Sequence, residues 1–171
     1  MKYLYLALVL LLVTGCADKH QLVRPNTPSM KLDKEKSVYV AMPKDGFYGV
    51  KSYPGSAKSV LSATVKAFST YSNNVQSGHE YQTFDAALSY AKSKHYSYLI
   101  FSKILHWEDR ATEWSGKPDK VTLKVDIIDP RTNKVLDSVT INGTSGIATF
   151  GGDHPQDLLT EPLNEFAKSL Y

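Results

Sequence analysis

The densest run of reactive side chains is His106, Trp107, Glu108, Asp109, Arg110, Glu113 and Trp114. Strand alternation puts His106, Glu108 and Arg110 on one side and Trp107 and Asp109 on the other. An imidazole beside carboxylates can ligate a metal or carry protons. The spacing matches neither a His-Glu-x-x-His zinc motif nor a cysteine pair. Three uses therefore stay open: ion pairs that pin a long hairpin while the tryptophans pack on its flank, a binding patch for a protein, peptide or glycan, and a catalytic or metal site. A second run is Gly151, Gly152, Asp153, His154, Pro155, Gln156 and Asp157. Glycines ahead of a helix N-terminus let backbone N–H groups approach an anion, but the Lys-Ser/Thr of a phosphate loop is missing. Helix-start chemistry accounts for the same residues: Asp153 or His154 caps, Pro155 sets the first turn, and Asp157 favours the dipole. Should His106, Glu108, Asp153 and His154 converge in space, a metal-dependent or acid–base hydrolase becomes a fair alternative. His79 and His95 are isolated, and no serine stands in a Gly-x-Ser-x-Gly elbow.

The elements that must position these runs follow from apolar periodicity. Residues 37–43 are apolar on both faces, which predicts an interior strand. A glycine- and proline-rich loop over 45–56 leads to a helix over 57–71 with Ser56 as its cap and Val60, Leu61, Thr64, Val65, Phe68 and Tyr71 as its buried stripe. A short strand over 74–77 follows, then Thr83 as the N-cap of a helix over 84–94, and a central strand over 96–105. Residues 120–129 alternate with Val121, Leu123, Val125 and Ile127 inward, and the turn from Asp129 to Asn133 returns the chain into a strand over 135–141. A last helix runs from Pro155 to Leu170, with Leu158, Leu159, Leu163, Phe166 and Leu170 buried. The order is βαβαβββα, an α+β (mixed α/β) domain with helices on a central mixed sheet and a long antiparallel hairpin.

Composition narrows the function classes. The chain has 171 residues, 20 Lys+Arg against 17 Asp+Glu, and one cysteine. Residues 37–171 hold 14 basic against 14 acidic side chains, so the domain is formally neutral. Nucleic-acid binding needs clustered basic side chains that displace counterions, and no such cluster is present. No cofactor signature is read either. At the N-terminus, Lys2 precedes an apolar run over residues 3–13 and then Thr14, Gly15 and Cys16. That is a signal-peptide pattern. Eleven residues at 1.5 Å rise cover only about 16 Å, too little for a hydrocarbon core roughly 30 Å thick. Residues 17–36 contain two prolines, five basic and three acidic residues, the composition of a polar tether able to reach about 70 Å extended.

Leu12-Val13-Thr14-Gly15-Cys16 resembles the lipobox of bacterial lipoproteins, with Val13 a less usual occupant of its position than leucine. The resemblance implies cleavage before Cys16, a diacylglyceryl thioether on its sulfur and acylation of the new amine. It divides the chain into a signal peptide (1–15), a lipidated cysteine with a flexible tether (16–36) and one periplasmic domain (37–171). Ala17, not aspartate, follows the cysteine, which by the same resemblance implies the outer membrane. In such a protein Asn142-Gly143-Thr144 is read as a turn and not as a glycosylation site. The segments 38–42, 84–91, 98–104, 121–129 and 135–139 look like the TolB N-terminal and CsgG-like group of periplasmic domains. The two polar phrases, 104–117 and 148–159, resemble an uncharacterised family of proteobacterial lipoproteins, a domain of unknown function. The resemblances convey fold and location, not activity; the anchor, the long tether, the neutral domain and the lack of a recognisable catalytic set point to a membrane-anchored, non-enzymatic interaction or accessory module whose partner is an envelope protein or a peptidoglycan-related component. The alternatives are the hydrolase above and a small-ligand sensor.

Overall fold

The computed structural model describes residues 18–25, 31–110, 117–146 and 154–171. The elements in chain order are β1 (Lys19–Val23), β2 (Val38–Met42), β3 (Phe47–Tyr48), β4 (Lys51–Ser52), α1 (Ser56–Ser69), β5 (Val75–Tyr81), α2 (Phe84–Ser93), β6 (Tyr98–Glu108), β7 (Lys120–Asp129), β8 (Lys134–Thr144), a 3-10 turn (Asp157–Leu159) and α3 (Thr160–Leu170). Six strands form one sheet in the order β1-β8-β7-β6-β2-β5, and β3 and β4 pair with each other. The fold is mixed α+β, as the periodicity predicts. The strand β2 runs parallel to both β5 and β6, while β6, β7, β8 and β1 pair antiparallel.

The two apolar faces of β2 explain the layering. Val38 and Val40 enter the larger core, which holds Phe68 of α1, Phe166 of α3 and the inward residues Val121, Leu123, Val125 and Ile127 of β7. Tyr39 and Ala41 enter a smaller core closed by Ala87 and Ala91 of α2. Thr83 caps α2 as expected, accepting from the Ala86 amide at 3.3 Å. The β7–β8 turn also forms as read: Asn133 takes the left-handed φ of 60°, and its amide donates to the Asp129 carbonyl at 2.9 Å.

Four local expectations are corrected. First, the tether is not free along its length, because Lys19–Val23 forms β1 and adds to the β8 edge. Its Arg24 ion-pairs with Asp137 and donates to Ser169 Oγ at 2.9 Å, and Leu32 is buried. The polar edge strand lacks the alternation that marks a buried one, so its partner β8, far along the chain, decides it. Second, Ser56 does not cap α1. Gly55 occupies that position at φ 94°, and the Asp45 carboxylate accepts from the Gly55 amide at 3.1 Å and the Ala57 amide at 2.8 Å. Ser56 Oγ instead accepts from the Gly46 amide at 2.8 Å and donates to the Tyr53 carbonyl at 2.7 Å. Third, Asn142-Gly143 is not a turn but part of β8. A Cβ on Gly143 would lie 2.8 Å from Leu158 Cβ, so the glycine serves close packing of the 3-10 turn on the sheet. Fourth, the strand expected over 74–77 runs on to Tyr81 along the β2 edge.

Candidate functional site

The polar phrase starts at a β-bulge. The register of β6 on β7 shifts between Ile104 and His106, leaving Leu105 as the extra, half-exposed residue. An extra residue reverses which face the following side chains take. Ile104 and Trp107 therefore both face the larger core, and His106, Glu108 and Arg110 share the opposite side. The expected grouping of those three holds, but the bulge decides which face each group takes.

Strand β2 covers β6 only along Tyr98–Ile100, and the β3–β4 hairpin lies against the part left over. A Cβ on Gly46 would sit 2.6 Å from Trp107 Cβ and 2.8 Å from Ile104 Cγ2, so only glycine lets the hairpin approach this closely. Trp107, 3% exposed, is thereby sealed into the core. On the other face Tyr48 meets the His106 ring edge-on at 5.0 Å, and the Arg110 guanidinium lies 5.0 Å from the Tyr48 ring centroid.

Glu108, 4% exposed, is the centre of this cluster. Its carboxylate bonds His106 Nε2 at 3.0 Å and pairs with Arg110 Nε. Burial pushes the Glu108 carboxyl upward, but the His106 hydrogen bond and the Arg110 charge together outweigh it and hold the group below its ordinary 4.5. A carboxyl depressed in the folded state stabilises above its unfolded value and loses that contribution as pH falls through the folded one. Acid titration of unfolding free energy is therefore expected to show a loss below about pH 4.5 that Glu108→Gln flattens. An unchanged acid limb in that variant would disprove the pairing.

The second phrase does reach the first, on the other side of the strand. His154 Nδ1 lies 3.8 Å from Asp109 Oδ2, an exposed and weak contact. The two residues line a groove of about 450 Å³ with Tyr53, Ser59, Trp107 and Gln156. His154 thus meets Asp109, while His106 and Glu108 bond each other. Asp153, Trp114 and Cys16 lie outside the described residues. His154 does not cap the last helix: its amide donates to Asp157 Oδ2 at 3.0 Å, so Asp157 supplies the side-chain oxygen. Two contributors carried no signal in sequence. Tyr48 is one. Asp119, wholly buried, is the other, its Oδ1 accepting from the Arg110 amide at 2.6 Å while its own amide donates to Ser145 Oγ at 2.8 Å.

A larger groove, about 650 Å³, opens between the hairpin and the free edge of β5. Met42, Phe47, Val50, His79 and Tyr81 line it, and Phe47, Val50 and Tyr81 are exposed apolar side chains.

Residues 30–170 match a family described as Domain of unknown function (DUF4823). The chain belongs to this family. No curated protein matches it. Among solved structures, the DUF4823 chain is similar to the PelC dodecamer from Paraburkholderia phytofirmans, with 16% identity, a TM-score of 0.67, and 89% of this chain and 98% of that one covered. It is also similar to lipoprotein GNA1162 from Neisseria meningitidis, with 12% identity, a TM-score of 0.53, and 78% and 99% covered. Protein XCC0632 from Xanthomonas campestris, of the DUF330 family, gives 15% identity, a TM-score of 0.52, and 86% and 90% covered. At such identities the likeness is one of fold. None of these three is named as a TolB or CsgG domain, so the kinship expected from the element order and the segments 38–42, 84–91, 98–104, 121–129 and 135–139 is not shown. Among the described residues no helix is long and apolar enough to cross a membrane.

Proposed function

We propose that this protein is an envelope lipoprotein, anchored at Cys16 in the outer membrane and facing the periplasm, whose domain acts as a non-enzymatic assembly module. The observation that carries the reading is the exposed apolar rim of Phe47, Val50 and Tyr81 around the larger groove. A neutral domain with that rim is suited to a protein partner. Fold likeness to a lipoprotein and to a chain solved as a dodecamer supports the same reading. The short path from anchor to domain adds to it. Cys16 stands three residues before Lys19, so the lipid attachment lies within about 11 Å of chain from β1. The head then works beside its own bilayer rather than at the end of a long tether. Two or three acyl chains at about 0.8 kcal/mol per buried CH₂ are ample to keep it there.

The partner assigned is an envelope protein, with a second copy of this chain the first to test. Cross-linking in cells from Val50→Cys is expected to yield a reproducible adduct that Tyr81→Asp weakens several-fold. A silent Val50→Cys probe in folded, membrane-bound protein would overturn the assembly role. Cys16→Ser is expected to abolish palmitate labelling and release the protein from the membrane fraction, and a labelled or still-anchored variant would overturn the lipid attachment.

A further inference from the structure

We infer that His20, Glu161 and Glu165 form a site for a divalent transition metal of the zinc class. These three side chains are brought together only by the docking of β1 beside α3. His20 projects from β1, where it stands opposite Gly143 of β8. Glu161 and Glu165 are one helical turn apart on α3, so their carboxylates share a face. Glu161 Oε2 lies 3.8 Å from His20 Nδ1, and Glu165 Oε2 lies 3.5 Å from Nε2. One ligand atom from each residue falls within 4.8 Å of the others.

Like charges at i and i+4 on a helix repel by a few tenths of a kcal/mol. Here both turn toward an imidazole that is half-buried while they remain exposed, an arrangement that a shared cation relieves. Zinc holds histidine nitrogen and carboxylate oxygen at about 2.0–2.2 Å. Glu161 and Glu165 face different ring nitrogens, so an ion held on one nitrogen requires the other carboxylate to swing round to it, which both exposed side chains have room to do. The backbone on both sides is already set, β1 by its ladder to β8 and by Arg24 to Asp137 and Ser169, and α3 by Leu163, Phe166 and Leu170 in the core. A nitrogen donor with two carboxylates selects zinc, copper or nickel over calcium and magnesium, which take oxygen cages. Three protein ligands leave room for water or for a side chain of another molecule. The ion would staple the strand that follows Cys16 to the C-terminal helix, fixing how the head sits relative to its N-terminus.

The test is a titration of Zn²⁺ into full-length, tag-free protein in detergent, competed against a chromophoric chelator, with Ca²⁺ run in parallel. The expected result is one zinc equivalent at micromolar affinity or tighter, at least tenfold weaker in Glu161→Gln and in Glu165→Gln and lost in His20→Gln, with Ca²⁺ failing to compete. Zinc should raise the melting temperature of the wild type and leave that of the variants unmoved. His106→Ala and His154→Ala should retain the site. The two glutamate variants lie on an exposed helix face and keep the fold, so they decide the matter even if His20→Gln loosens β1. No saturable zinc in the wild type, equal binding in the glutamate variants, or equal affinity for Ca²⁺ would each overturn the assignment.

Discussion

Trp107→Ala is expected to cost the domain about 3–5 kcal/mol, the range for removing a large buried aromatic side chain. The indole is 3% exposed and belongs to the larger core. Its Cβ is also the surface on which Gly46 rests. Truncation therefore opens a cavity and removes the seat of the β3–β4 hairpin together. Urea unfolding read by linear extrapolation gives the free energy. Loss of the Tyr48 contact to His106 gives a near-ultraviolet signature of the loosened hairpin. Trp107→Phe should recover part of the loss, because it refills some of the cavity. A variant with unchanged stability would contradict the packing role and restore Trp107 as a free binding side chain.

Arg24→Ala should cost about 2–4 kcal/mol. Breaking a buried ion pair from one side leaves the other charge unpaired and typically costs 3–5 kcal/mol. The Arg24 side chain is one-fifth exposed, and Asp137 keeps the Ser138 amide at 2.7 Å, so a figure about 1 kcal/mol below that range is the better one. The guanidinium also lies 5.0 Å from the Phe166 ring centroid, which ties the strand end to α3. Asp137→Asn alone should cost less than Arg24→Ala, and the double variant should fall well short of the sum. Limited proteolysis supplies a second readout, since loss of Arg24 should expose the chain around β1 to cleavage. A change below about 0.5 kcal/mol, the ordinary range for surface substitutions, would mean that β1 is dispensable and that a flexible tether extends up to the core domain.

These expectations separate what local pattern encodes from what it does not. Thr83 caps α2 because its hydroxyl and the Ala86 amide are three residues apart, a distance that sequence contains. Val121, Leu123, Val125 and Ile127 all face inward because a two-residue period on one strand is enough to orient them. The three-way grouping of His106, Glu108 and Arg110 was legible for the same reason. Asp45 as the helix cap was not. It lies ten or more residues from the amides it serves, and nothing in residues 45–57 distinguishes it from any loop aspartate. Asn-Gly is a turn signal only where the backbone is free to turn, and at Gly143 the close approach of Leu158 instead requires a strand residue with no side chain.

By itself the sequence determined the α+β class, the order of the main helices and strands and the long β7–β8 hairpin, since each rests on periodicity and turn chemistry within a few residues. Only the tertiary structure decided the rest. The bulge at Leu105 chose which face receives Trp107 and which receives Glu108, and the pairing of β1 with β8 turned a polar segment into an edge strand. The closing of the hairpin over β6 buried a tryptophan that looked available for binding. Each of these depends on contacts between residues far apart along the chain, where short-range spacing is silent and only the competition for one shared core sets the outcome.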